Sequence, residues 1–119
     1  MVSIASAELG PDSAPDRALL AEALSVPGER REGRDVYPGV VPKAAALLLA
    51  ILRLRPFERA NARVALLATT VFLNRNGLDL QAGDDELVAL VAVAATGELS
   101  VLQVASGVER HTVRLTEPA

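Results

Sequence analysis

The chain has 119 residues, no cysteine and a formal net charge of -3, with 50% apolar and 3% aromatic residues. One domain of this size buries a core without staples, and the missing cysteines exclude disulfides, thiolate metal sites and thiol nucleophiles. The acidic balance argues against nucleic acid as a partner, and the longest apolar run, Ala44 to Leu52, falls far short of the ~20 residues of a membrane span.

With so few aromatics, the core must be built from Ala, Val and Leu, which points to an all-α domain of closely packed helices, about five to six by the elements that follow. Met1-Val2-Ser3-Ile4 has no basic stretch ahead of an apolar core, so a soluble cytoplasmic protein is expected. Eleven of the twelve basic residues are Arg and Lys43 is the sole Lys, a bias associated with GC-rich bacterial genomes.

Val2 to Leu9 reads as the end of a short helix stopped by Gly10-Pro11. The next helix starts near Ser13, with Pro15 early and Asp16 three residues on, and carries an apolar stripe of Leu19, Leu20, Ala23 and Leu24 up to Pro27-Gly28. An irregular, charged segment follows over about 29–41. Pro42 then opens a helix from Lys43 to about Leu54, apolar nearly all round and therefore central. Pro56 breaks it. A second long helix runs from there to Asn76, with Val64, Leu67, Ala68, Val71 and Phe72 inward and Gly77 as its left-handed stop. Asp84 or Asp85 starts a helix through Val88, Val91 and Val93 to Gly97. Ser100 and Gln103 form a capping box for the last helix, which reaches about Glu109. The tail 110–119 is read as flexible and frayed, or as a partner-binding end, with an ambiguous alternation at Thr112-Val113-Arg114-Leu115. The whole of 1–119 is read as a single domain.

Chemistry concentrates around Pro56. A helix start offers free N–H groups to an anion. Arg55, Arg59 and Arg63 recur every four residues, so those on regular helix share a face, and Asn61 lies among them. Guanidinium groups beside backbone donors suit phosphate recognition. The competing explanation is a solvated helix face neutralised by Glu58, Glu22 or Asp35.

Arg55-Pro56-Phe57-Glu58-Arg59-Ala60-Asn61-Ala62-Arg63 resembles the active-site loop of the Fic/Doc (death-on-curing, Fido) family, H-x-F-x-[D/E]-G-N-[G/K]-R. The flanks carry the likeness along nearly the whole chain. Asp16 to Leu24 resembles the family's D-x-x-L-L-x-x-A-L helix. Gly33-Arg34-Asp35-Val36-Tyr37-Pro38-Gly39 resembles its G-x-x-x-Y-P flap, and Lys43 to Leu48 its K-A-A-A-L-L helix. Ala68 to Gly77 resembles A-x-x-x-F-L-x-x-N-G, and Asp85-Glu86-Leu87-Val88 with Ala94 to Ser100 resembles the closing helices.

The resemblance implies a compact helical domain that transfers a phosphoryl or nucleotidyl group to a hydroxyl of a target protein. In it a histidine is the general base, an acidic residue holds Mg²⁺, the Gly-Asn turn cradles phosphate and the last Arg clamps it. The flap, with Gly33, Arg34, Tyr37 and Pro38, holds a target peptide along an edge. Carried over by position, Phe57 anchors the loop, and Asn61 and Arg63 are kept as anion-binding residues.

The chain departs from the pattern where the chemistry sits. Arg55 takes the base position, and a guanidinium stays protonated, so it accepts no proton. Arg59 takes the metal position and repels Mg²⁺. Ala60 replaces the glycine and Ala62 the Gly/Lys. The only histidine, His111, lies in the tail, where a solvated role is expected. Glu58 is read as the balance to Arg55 or Arg59, and Tyr37 as an anchor. No catalytic set is therefore intact, and no metal is expected. The leading expectation is a degenerate, toxin–antitoxin-derived pseudoenzyme. It binds a protein partner (antitoxin-like or target) or an anion through Arg55, Arg59 and Arg63, with Arg53 as a fourth, and a homo-oligomer stays open. One alternative is an active transferase using ATP or GTP with Mg²⁺. Another is a structural helical subunit.

Overall fold

The computed structural model describes residues 15–115. The expected helix at Val2–Leu9 and the expected cap at Ser13 lie outside them. The fold is mainly α, with five helices and two small antiparallel sheets among the described residues.

Helix α1 spans Arg17–Ser25. Its cap is Asp16, whose carboxylate accepts the Ala18 and Leu19 N–H groups at 3.0 and 3.1 Å. That interaction satisfies two of the donors a helix start leaves free. Leu20 and Ala23 are buried while Leu24 is 39% exposed, so the apolar stripe is narrower than its sequence suggests. A 3-10 turn, Val26–Gly28, closes the element.

The flap is more regular than its composition implies. Strands β1 (Arg30–Arg31) and β2 (Arg34–Asp35) form a two-residue hairpin. Its turn, Glu32-Gly33, has positive φ at both residues, 54° and 78°, as a tight hairpin matching the twist of its strands requires.

Helix α2, Val40–Leu54, begins before Pro42 rather than at it, because the Gly39 carbonyl already accepts the Lys43 N–H. Every residue from Ala44 to Ile51 is buried. This helix packs against all the others, α1 before it and α3 (Asn61–Arg75), α4 (Asp84–Ala95) and α5 (Val101–Arg110) after it. Hydrophobicity on all sides is what a central helix needs.

Helix α3 starts at Asn61, several residues beyond Pro56, and buries Val64, Ala65, Ala68, Thr69 and Leu73. The expected inward residues Leu67, Val71 and Phe72 are only half-buried. Helix α4 carries Asp84, Asp85 and Glu86 in its first turn, where the helix dipole favours negative charge. On it Val91 and Ala94 are buried, whereas Val88 and Val93 are 67% and 48% exposed, against the expectation that they face inward. Helix α5 has the Ser100–Gln103 capping box in full, with bonds of 3.2 and 2.9 Å. Gly107 lets α4 approach closely, since a Cβ there would stand 3.0 Å from the Leu90 Cδ1.

The tail is corrected. Thr112–Arg114 forms strand β4, paired antiparallel with β3 (Leu78–Leu80) in the register Leu78↔Arg114, Asp79↔Val113, Leu80↔Thr112. Bonds from Gln81 N–H to the His111 carbonyl (2.6 Å) and from Leu115 N–H to the Gly77 carbonyl (2.8 Å) close both ends. The described part of the tail is therefore paired strand rather than free from residue 110, and residues 116–119 lie outside the described residues. No helix among the described residues is long and apolar enough to cross a membrane.

Candidate functional site

The α2–α3 connection, residues 55–60, is built from two left-handed residues and one buried clamp. Arg55 ends α2 with φ 50° and ψ 59°, its N–H bonded to the Ile51 carbonyl at 3.0 Å. Such a conformation is normally given to glycine, and Pro56 after it already disfavours helical backbone at Arg55. Ala60 precedes α3 with φ 63° and ψ 25°. The Cβ of Ala60 thus sits on left-handed backbone, which costs about 1–2 kcal/mol for an L residue.

Between them the loop is pinned to the core. Phe57 is 2% exposed. Asn61 is buried and holds Phe57 with both ends of its carboxamide: Oδ1 accepts the Phe57 N–H at 3.0 Å and Nδ2 donates to the Phe57 carbonyl at 2.8 Å. The Pro56 carbonyl accepts the Asp16 N–H at 2.6 Å, tying the start of α1 to the same loop. Asn61 therefore shapes the loop, and its amide is not turned outward toward an anion.

Arg55, Glu58, Arg59 and Arg63 are exposed. Only Arg63 lies on α3, so the four-residue spacing does not place the three Arg on one helix face. Glu58 pairs with neither Arg55 nor Arg59, and none of the three guanidiniums has a carboxylate partner among the described residues. The first turn of α3 has no side-chain cap and no acidic residue. Uncapped N–H groups flanked by unpaired guanidiniums draw in a negative group. Glu58 is the one carboxylate between residues 55 and 63.

The fourth Arg does not join this surface. Arg53 lines a hollow of about 200 Å³ with Glu22, Glu29 and Tyr37, whereas Arg63 lines a larger groove of about 630 Å³ between α3 and α4. The flap residues gather beside the first hollow. Gly33 is at the hairpin tip, Arg34 is in β2, Tyr37 is half-buried and Pro38 is exposed. Lys43 fastens the hairpin: its Nζ lies 3.2 Å from Asp35 Oδ2 and donates to the Pro27 carbonyl at 3.2 Å. Arg30 bonds the Gly33 carbonyl and lies 3.6 Å from Asp35. His111 is not a solvated tail residue. It is half-buried, with Nδ1 3.3 Å from Glu86 Oε2.

No family model matches the chain. It is 36% identical over 90 residues to the protein kinase doc of Escherichia phage P1, across 76% of this chain and 71% of that protein. The chain belongs to the Doc family. A second Doc protein, the toxin Doc of Mycolicibacterium smegmatis, is 39% identical over 70 residues, across 59% of this chain and 54% of the relative. Within a Doc framework, sequence reasoning located the loop but missed the Asn61–Phe57 clamp. A Phe and an Asn four residues apart at a helix start were its only trace in the sequence.

Proposed function

We propose that this Doc-family chain is a toxin–antitoxin-derived protein of the cytoplasm that works by binding, with its motif loop holding an acidic segment of a protein partner, or a phosphate, without metal. The observation that supports this most is the pair of exposed guanidiniums, Arg55 and Arg59, at the family's base and metal positions, without a carboxylate partner among the described residues. A guanidinium accepts no proton at any ordinary pH, and loss of a general base costs about 10²–10⁴ in rate. The donor set does not fit Mg²⁺ either. Arg59 repels it, and the Asn61 oxygen is spent on the Phe57 N–H. What remains is electrostatic: Arg59 and Arg63 beside the uncapped start of α3 suit a carboxylate or phosphate.

Titration calorimetry with ATP, GTP and an acidic peptide, each with and without Mg²⁺, tests this. Binding that Mg²⁺ leaves unchanged, and that Arg59→Glu with Arg63→Glu weakens at least about tenfold, is the expected result. Affinity that appears only with Mg²⁺ would overturn it. The phage relative's name, protein kinase doc, favours a second reading, a phosphotransferase using ATP or GTP with Mg²⁺ and a non-standard base. That reading predicts the Mg²⁺-dependent outcome.

A further inference from the structure

The hollow of about 200 Å³ beside the flap is walled by α1, the flap segment, α2 and the start of α5, and no residue of the motif loop lines it. One wall is apolar and belongs to the core: Ala46, Leu49 and Ala50 of α2 are all buried. The polar side chains come from three other places. Glu22 stands on α1, Glu29 and Tyr37 stand on either side of the flap hairpin, and Arg53 stands in the last turn of α2.

Glu22, Glu29 and Arg53 are exposed, and none of them forms an ion pair among the described residues. Opposite charges that share a small hollow without pairing leave their hydrogen-bonding capacity to a ligand that carries both signs. Two carboxylates and one guanidinium match two cationic groups and one anionic group. The apolar wall of α2 matches an aliphatic stem between them, and the half-buried ring of Tyr37 offers its face to a cation. Pockets for drug-sized ligands measure about 300–1,000 Å³, so a hollow this small suits a single amino acid rather than a nucleotide or a folded segment.

We infer that this hollow binds a free basic amino acid, with its carboxylate on Arg53, its two cationic groups on Glu22 and Glu29, and its stem against α2. Because Glu29 and Tyr37 flank the hairpin, the bound amino acid ties both ends of the flap to the body of the protein. The inference uses none of Arg55, Arg59 and Arg63, so it stands apart from the binding role proposed for the motif loop.

The chain has a single Tyr and no Trp, so the fluorescence of Tyr37 reports this hollow alone. Titration with L-lysine is expected to change that fluorescence with half-saturation at roughly 0.1–1 mM. Norleucine, which lacks the second ammonium, and cadaverine, which lacks the carboxylate, should each bind about tenfold more weakly. Arg53→Met should weaken L-lysine about tenfold and leave cadaverine unchanged, whereas Glu22→Gln with Glu29→Gln should weaken both. These positions are exposed, so the variants keep the fold. No response to L-lysine at roughly 10 mM overturns the inference. So does norleucine binding as tightly as L-lysine, or Arg53→Met weakening cadaverine as much as L-lysine. A peptide ending in lysine that binds as tightly as the free amino acid also overturns it, since the hollow would then receive the chain end of a partner protein.

Discussion

Asn61 spends both ends of its carboxamide on one residue, Phe57, and that exchange fixes the whole loop. Asn61→Ala leaves a buried N–H and a buried carbonyl without partners, so it should cost about 2–3 kcal/mol in denaturant unfolding. The same change should speed hydrogen exchange at the Phe57 amide, while Asn61→Asp keeps the acceptor and loses the donor, giving an intermediate loss. Ala60 carries strain with the opposite sign. Ala60→Gly removes a Cβ from left-handed backbone and should raise stability by about 1 kcal/mol, read from the same unfolding curves. A loss instead would mean that the left-handed turn is not kept in solution. Neither residue could be weighed this way from sequence. The regular recurrence of Arg55, Arg59 and Arg63 imitates a helix face, but the left-handed Ala60 delays the helix and leaves two of the three Arg on irregular backbone.

Among the elements, those governed by local rules were legible. The Ser100–Gln103 capping box and the apolar α2 stand where short-range chemistry puts them. The flap hairpin was not legible, because Glu32 and Gly33 do not form the Asn-Gly or Asp-Gly pair that announces a tight turn. Its hold on the body comes from Lys43, sixteen residues from its acceptor Pro27. Lys43→Met keeps most of the apolar stem and removes the bond to Pro27 and the pair with Asp35. Global stability should fall by only about 1 kcal/mol, since Asp35 is partly exposed and its pair is screened. Trypsin should cut at Arg30, Arg31 and Arg34 several times faster than in the parent. Unchanged cleavage would show that the hairpin holds its position without this lysine.

At the scale of the molecule, β3 and β4 tie the end of the chain to the end of α3. The alternation at Thr112 to Leu115 was visible, but a two-stranded pair needs a partner, and Leu78–Leu80 lies more than thirty residues earlier with no local mark linking the two. Ending the chain at Arg110 removes this ladder and the His111–Glu86 contact, and should lower stability by about 2 kcal/mol while leaving helix content nearly intact by circular dichroism. The loop and the ladder belong to one Doc-family chain, and the binding role proposed for it holds that the guanidiniums of Arg55 and Arg59 stand where transfer would need a proton acceptor and a metal ligand. Transfer of label from γ-³²P and α-³²P ATP and GTP to proteins of a cell lysate, with Mg²⁺, tests that statement most directly. The wild-type chain is predicted to label nothing above background, and Arg55→His combined with Arg59→Asp to gain transfer that depends on Mg²⁺. Labelling by the wild-type chain that vanishes with Arg63→Ala would contradict it.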